Sequence, residues 1–150
     1  MIKRRAAAAR SSAGLDRSLL DPGLIDPGLL DGILDDGAAR AGAVRHAVLL
    51  SQDGTVLVAS RGLSRRGAEH LAEIASGFHG LAGSAGRRAR PAPVRRTMIE
   101  LESGTLFVAA AGAGTCLVVL SAAGTDPATA AAETARLVER VGEQLRRALG

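Results

Sequence analysis

Val44-Arg-His-Ala-Val-Leu-Leu-Ser-Gln-Asp-Gly-Thr-Val-Leu-Val-Ala-Ser60 is the stretch that decides the fold. Two runs rich in valine and leucine, residues 44–51 and 55–60, flank Gln52, Asp53 and Gly54. An Asp-Gly pair between such runs signals a hairpin, because glycine reaches the positive φ that a tight turn needs. Both runs are apolar almost without interruption instead of alternating. Strands of that texture are covered on both faces, so helices are expected above and below the sheet.

Downstream, Ser64 offers an N-cap for a helix over 65–82. Its apolar stripe is Leu71, Ile74, Ala75, Phe78, Leu81 and Ala82 at helical spacing. Leu71, Ile74, Phe78 and Leu81 are expected to face the sheet, since burying each is worth ~1.5–3 kcal/mol. Arg65 and Arg66 stand in the first turn, against the helix dipole. Residues 83–93, with three arginines and two prolines, are expected to form an exposed basic loop. Three strands follow, over 94–102, 105–111 and 115–121. Ser103-Gly104 and Gly112-Ala113-Gly114 join them into an antiparallel meander. Asp126 and Pro127 start the last helix, whose stripe is Ala131, Ala135, Val138, Val141 and Leu145, broadened by Leu137 and Leu149.

Upstream, a twofold Asp-Pro-Gly-Leu repeat at 21–29 punctuates the chain. A short helix over 28–40 follows, with Leu29, Leu30, Ile33 and Leu34 on one face. The fold class is therefore α/β in the broad sense (α+β). It is a five-stranded antiparallel sheet with helices on both faces, in the order α-β-β-α-β-β-β-α.

One domain accounts for the 150 residues. It is expected over 28–150, behind a disordered basic tail and Asp-Pro-Gly linker at 1–27. The net charge of +4 belongs to that tail: residues 1–20 carry five basic side chains against Asp16, and the remaining 130 residues are neutral. A basic nucleic-acid domain is not indicated, so no specific nucleic acid is expected as a partner. There is no Trp, no Tyr and only two Phe, which argues against base-stacking platforms and aromatic-lined cofactor slots. Lys3-Arg4-Arg5 and four alanines imitate the start of a signal peptide, but Arg10, Ser11 and Ser12 interrupt it. No transmembrane segment is present in the pattern, and a cytoplasmic location is expected.

No catalytic constellation stands out. A phosphate-binding loop needs a lysine beyond position 3, and there is none. Gly80, Gly83 and Gly86 lack dinucleotide-binding spacing. His70 and His79, nine apart, point to opposite sides of a helix, and His46 has no acidic neighbour in register. Ser60, Ser64 and Ser103 lie near turns without a nucleophile elbow. Cys116 sits mid-strand as a small core residue. Glu100 and Glu102 share one strand face, as charges on a solvated edge strand do. Neither cofactor nor metal is expected.

Several segments resemble the roadblock/dynein light chain family. They are Arg45 to Gly54, Leu57 to Ser60, Ala68 to Phe78, Glu100 to Gly104 and Ala135 to Glu143. The resemblance covers about 28–147 and is strongest to actinobacterial members encoded beside a sensor-kinase-like protein and a small Ras-like GTPase. It implies a non-enzymatic homodimer that binds such a GTPase and modulates its nucleotide cycle. It also implies that the central helix and third strand make the dimer and that the paired central helices face the GTPase. On this chain the dimer positions are Thr97, Ile99 and Leu101, on an edge strand. The partner positions are Glu69, His70, Glu73, Ser76, Gly77 and Gly80, on the arc left by the helix's apolar stripe. A small-ligand sensor, a dimerisation scaffold without a GTPase, and a nucleic-acid or membrane-surface accessory are the competing readings.

Overall fold

The structure, a computed structural model, describes residues 28, 31–33, 35–36, 43–89, 94–112 and 114–149. The expectations for the tail at 1–27, for Leu29, Leu30 and Leu34, and for residues 37–40 fall outside the described residues. The elements are β1 (Val44–Leu50), β2 (Val56–Ala59), α1 (Arg65–Ala89), β3 (Arg96–Leu101), β4 (Gly104–Gly112), β5 (Thr115–Ser121) and α2 (Pro127–Leu149). Helical backbone also occurs at residues 28, 31–33 and 35–36.

The five strands form one antiparallel sheet in the order β2-β1-β5-β4-β3. The Asp53-Gly54 hairpin forms as expected. Gly54 has φ 86°, and the Ser51 N–H donates to the Thr55 carbonyl at 2.9 Å. Both faces are covered, which explains the uninterrupted apolar runs. Val48, Leu50, Leu106, Val108 and Val118 pack with Ala68, Ala72 and Ala75 of α1. Ala47, Leu49, Phe107, Leu117 and Val119 pack on the other face with Leu137, Val141 and Leu145 of α2, and with Ile33.

Both helices start where their caps place them. Ser64 Oγ accepts from the Gly67 N–H at 3.0 Å, and Asp126 Oδ2 accepts from the Thr129 N–H at 3.2 Å. Three details differ from expectation. First, α1 runs on to Ala89 rather than stopping at 82, so residues 83–89 are helix and not loop. Alanine and arginine there are good helix formers and outweigh the glycines; the rest of the expected loop, 90–93, lies outside the described residues. Second, Ala135 of α2 is exposed; the buried line is Ala130, Thr134, Leu137, Val141 and Leu145. Glu133 is also buried there and accepts from Arg136 Nη1 at 3.2 Å.

The third difference concerns the orientation of α1. Ile74, Phe78 and Leu81 do not face the sheet: they are 37%, 48% and 66% exposed. The buried line is Ala68, Ala72 and Ala75, with Leu71 half-buried. These positions repeat at helical spacing just as the large residues do. Small side chains let the helix axis approach the sheet, and the larger stripe lies roughly 120° around the helix, at ~100° per residue.

Candidate interaction surface

α1 carries three chemically distinct arcs. One is the alanine line on the sheet. On one flank lie Glu69, Glu73, Ser76 and Gly80, all exposed. His70 and Gly77 sit between the flanks, near the outer crest of the helix. The helix therefore brings the six expected partner positions onto one continuous outer surface. Packing within the chain demands neither Gly77 nor Gly80 as glycine, since a Cβ at either would meet no atom within 4 Å.

Two contacts fix which way the flanks face. Ser76 lies over the β1–β2 turn, where a Cβ at Gly54 would sit 2.8 Å from Ser76 Oγ. The acidic flank therefore faces the β2 side of the sheet. The opposite flank, Ile74, Phe78 and Leu81, overhangs the β3 side. His79 ties α1 to that strand through Nδ1 and Thr97 Oγ1, 3.0 Å apart. Burial lowers the His79 pKa below the usual histidine value.

β3 is an edge strand, paired only with β4. Of its expected dimer positions, Thr97 and Ile99 are half-buried beneath α1, while Leu101 is 48% exposed. Met98, which sequence reasoning did not select, is 51% exposed on the other face of the strand. An exposed apolar flank thus meets an open sheet edge. The residues of that flank were visible in the sequence but assigned to the core. The helical repeat of Ala68, Ala72 and Ala75 was the signal that another stripe fills the sheet-facing role.

On the α2 face, a groove of about 540 Å³ is lined by Arg95, Arg96, Ala109, Ala110, Thr134, Ala135 and Val138. The Arg96 guanidinium stands 5.7 Å from the centroid of the Phe107 ring. Elsewhere the polar groups serve the fold. Ser60 Oγ accepts from the Ala47 N–H at 3.1 Å, and Ser121 Oγ accepts from the Thr105 N–H at 2.8 Å. Burial raises the Cys116 thiol pKa, which disfavours the reactive thiolate. Burial, with help from Arg45, lowers that of His46. Among the described residues no group of three or more His, Cys, Asp or Glu is placed to hold a metal. Nor is any described helix long and apolar enough to cross a membrane.

The Roadblock/LC7 domain model matches residues 30–121, spanning β1 to β5 in the order just described. The chain belongs to the Roadblock/LC7 family. A Roadblock/LC7 domain from Streptomyces avermitilis is 40% identical, with TM-score 0.70, covering 77% of this chain and 97% of that one. Two more distant structures share the fold. The gliding protein MglB from Thermus thermophilus is 18% identical with TM-score 0.69, covering 82% of this chain and 93% of its own. Myxococcus xanthus MglB is 12% identical with TM-score 0.70, covering 83% and 93%. No curated protein sequence matches this chain. Roadblock/LC7 domains are non-catalytic binding modules, which accords with hydroxyls and carboxylates spent on caps, turns and the Arg136–Glu133 ion pair.

Proposed function

We propose that this Roadblock/LC7 protein is a homodimeric regulatory module of a bacterial signalling system. It binds a small Ras-like GTPase in the cytoplasm and modulates its nucleotide cycle, without cofactor or metal. A sensor-kinase-like protein, of the kind that accompanies the actinobacterial members, is a further partner. The observation that carries the reading is the exposed flank Ile74, Phe78 and Leu81 beside the open β3 edge. Apolar surface of this size on a helix next to an unpaired strand is covered by a protein partner, and a second copy covers both features at once.

With the apolar flanks turned toward each other, the crest and acidic flank of each α1 remain outward. Glu69 and Glu73, one turn apart, then present negative charge to a basic switch region of the GTPase. The test is the double variant Glu69→Arg, Glu73→Arg, checked first for helical content and dimer mass. Binding is measured against a nucleotide-loaded bacterial Ras-like GTPase, and it is expected to weaken by roughly tenfold or more. Unchanged affinity in a folded dimer would move the docking surface off α1. One observation favours a small-ligand sensor instead, the Arg95–Arg96 groove on the α2 face. A metabolite retained by that groove with no GTPase bound would favour it.

A further inference from the structure

We infer that the groove between β3, β4 and α2 binds a small amphiphilic carboxylate, an aliphatic chain with one acidic head gripped by Arg95 and Arg96. The inference rests on the small-ligand reading of that groove and names the ligand class, and it holds whether or not a GTPase docks on α1. The packing of α2 explains why the groove exists. α2 lies chiefly on β4, and Gly142 brings it close: a Cβ there would sit 3.3 Å from the Ala111 carbonyl oxygen. The flank of α2 beside the groove is Ala131, Ala135, Val138 and Gly142, short side chains at helical spacing. Such a flank does not reach over β3. Arg96, Met98 and Glu100 stand opposite Ala109, Phe107 and Thr105 of β4, and Phe107 belongs to the core beneath α2. All three therefore lie on the α2 face, and all three are exposed.

The lining sorts the ligand by chemistry. At about 540 Å³ the groove has the size of a small-molecule site. Its apolar wall is Ala109, Ala110, Ala135 and Val138, whose side chains offer van der Waals contact and no polar atom. No aromatic side chain lines it, so a nucleobase or flavin ring has nothing to stack on. Thr134 lines it too, but Thr134 is fully buried and its hydroxyl donates to the Ala130 carbonyl at 2.8 Å. What remains polar is two guanidiniums, which donate hydrogen bonds and never accept them. A sugar or an amine would bring donors that meet no side-chain acceptor. A carboxylate brings acceptors only.

Both arginines are available for that acid. Arg95 and Arg96 are exposed, and neither makes an ion pair among the described residues. Glu100 shares the α2 face of β3, but Met98 stands between it and Arg96. The Arg96 guanidinium lies over the buried Phe107 ring, 5.7 Å from its centroid, which restrains it beside the groove. A guanidinium held this way takes a carboxylate in a two-pronged grip with less ordering left to do. Two free cations at the mouth of an aliphatic wall are the complement of one acid on an aliphatic chain.

The test titrates decanoate into the full chain, with backbone amide shifts read by NMR and Kd by calorimetry. Decylammonium and decanol are the matched cationic and neutral probes. Decanoate is expected to give saturable shifts at Ala109, Ala110, Ala135 and Val138, and to bind roughly tenfold or more tighter than either control. The double variant Arg95→Gln, Arg96→Gln is expected to weaken decanoate by roughly tenfold or more, with helical content unchanged by circular dichroism. Ala135→Trp, at an exposed position on the groove wall, is expected to block it. Unchanged affinity in the folded arginine variant, or a control probe that matches decanoate at the groove, would overturn the ligand class while leaving a small-ligand site standing. Shifts confined to Ile74, Phe78 and Leu81 would place decanoate on the α1 flank. That result, or the absence of saturable binding, would overturn the site itself.

Discussion

Replacing Phe78 and Leu81 together by serine separates the two roles that large apolar residues on α1 can have. If they packed against the sheet, their loss would open cavities and cost ~3–5 kcal/mol each in folding. They are instead 48% and 66% exposed, so the folded single chain has little burial to lose. Full burial of such a side chain is worth ~1.5–3 kcal/mol. The exposed fractions leave about 1.7–3.4 kcal/mol per copy for a partner to cover, and a twofold dimer counts it twice. Even if the interface covers a third of that surface, dimerisation loses about 1.1–2.3 kcal/mol, or roughly 7- to 50-fold in Kd. Sedimentation equilibrium measures the Kd. Chemical unfolding at a concentration where both proteins are monomeric measures the fold, where the change is expected to stay below ~1 kcal/mol. A variant that dimerises as tightly as the wild type would refute the partner role of this flank. One that unfolds as a monomer would return the stripe to the core.

Gly104→Ala is expected to destabilise the fold by ~2–4 kcal/mol in urea unfolding, because Gly104 has φ 145° and a Cβ there would sit 2.5 Å from the Ser121 carbonyl oxygen. A change within ~0.5 kcal/mol would show that the β3–β4 connection relaxes freely. The thermal midpoint is expected to fall as pH drops below about 6.5, since burial lowers the pKa of both His79 and His46 and the unfolded chain then binds more protons than the folded one. His46→Gln, His79→Gln should flatten that slope between pH 7.5 and 5.5, and an unchanged slope would place its origin in other groups.

The sheet was the legible part of this sequence, for a local reason. Asp53-Gly54, Ser103-Gly104 and Gly112 to Gly114 mark turns whose backbone only glycine adopts cheaply, and all of the described turn glycines among them have positive φ. Once the turns are fixed, the five apolar runs become antiparallel neighbours, and Ser64 and Asp126 cap their helices as read. The position of β3 at the edge also holds.

The orientation of α1 was not legible. A helical period shows that Ile74, Phe78 and Leu81 share a face, and their size shows that the face prefers burial, but neither says against what. The answer lay in Ala68, Ala72 and Ala75, which are hard to distinguish in a chain where alanine is common at every kind of position. The extension of α1 to Ala89 is hard to read because Gly83 and Gly86 interrupt the pattern, although each costs only ~1 kcal/mol against alanine and the flanking residues favour helix. Burial of Glu133 was unreadable because it depends on Arg136 and on how α2 lies across the sheet. Helical spacing puts Glu69, Glu73 and Ser76 on one arc, but the approach of Ser76 to the Gly54 turn, which orients that arc, is tertiary.

The central claim is a dimer that presents paired α1 helices to a Ras-like GTPase. Light scattering of the full chain at micromolar concentration, alone and then with a nucleotide-loaded bacterial Ras-like GTPase, tests both halves in one measurement. A mass near twice the 15.2 kDa chain mass is expected first, and a larger complex still containing two copies is expected after addition. A peak at 15.2 kDa that the GTPase does not shift would contradict the account.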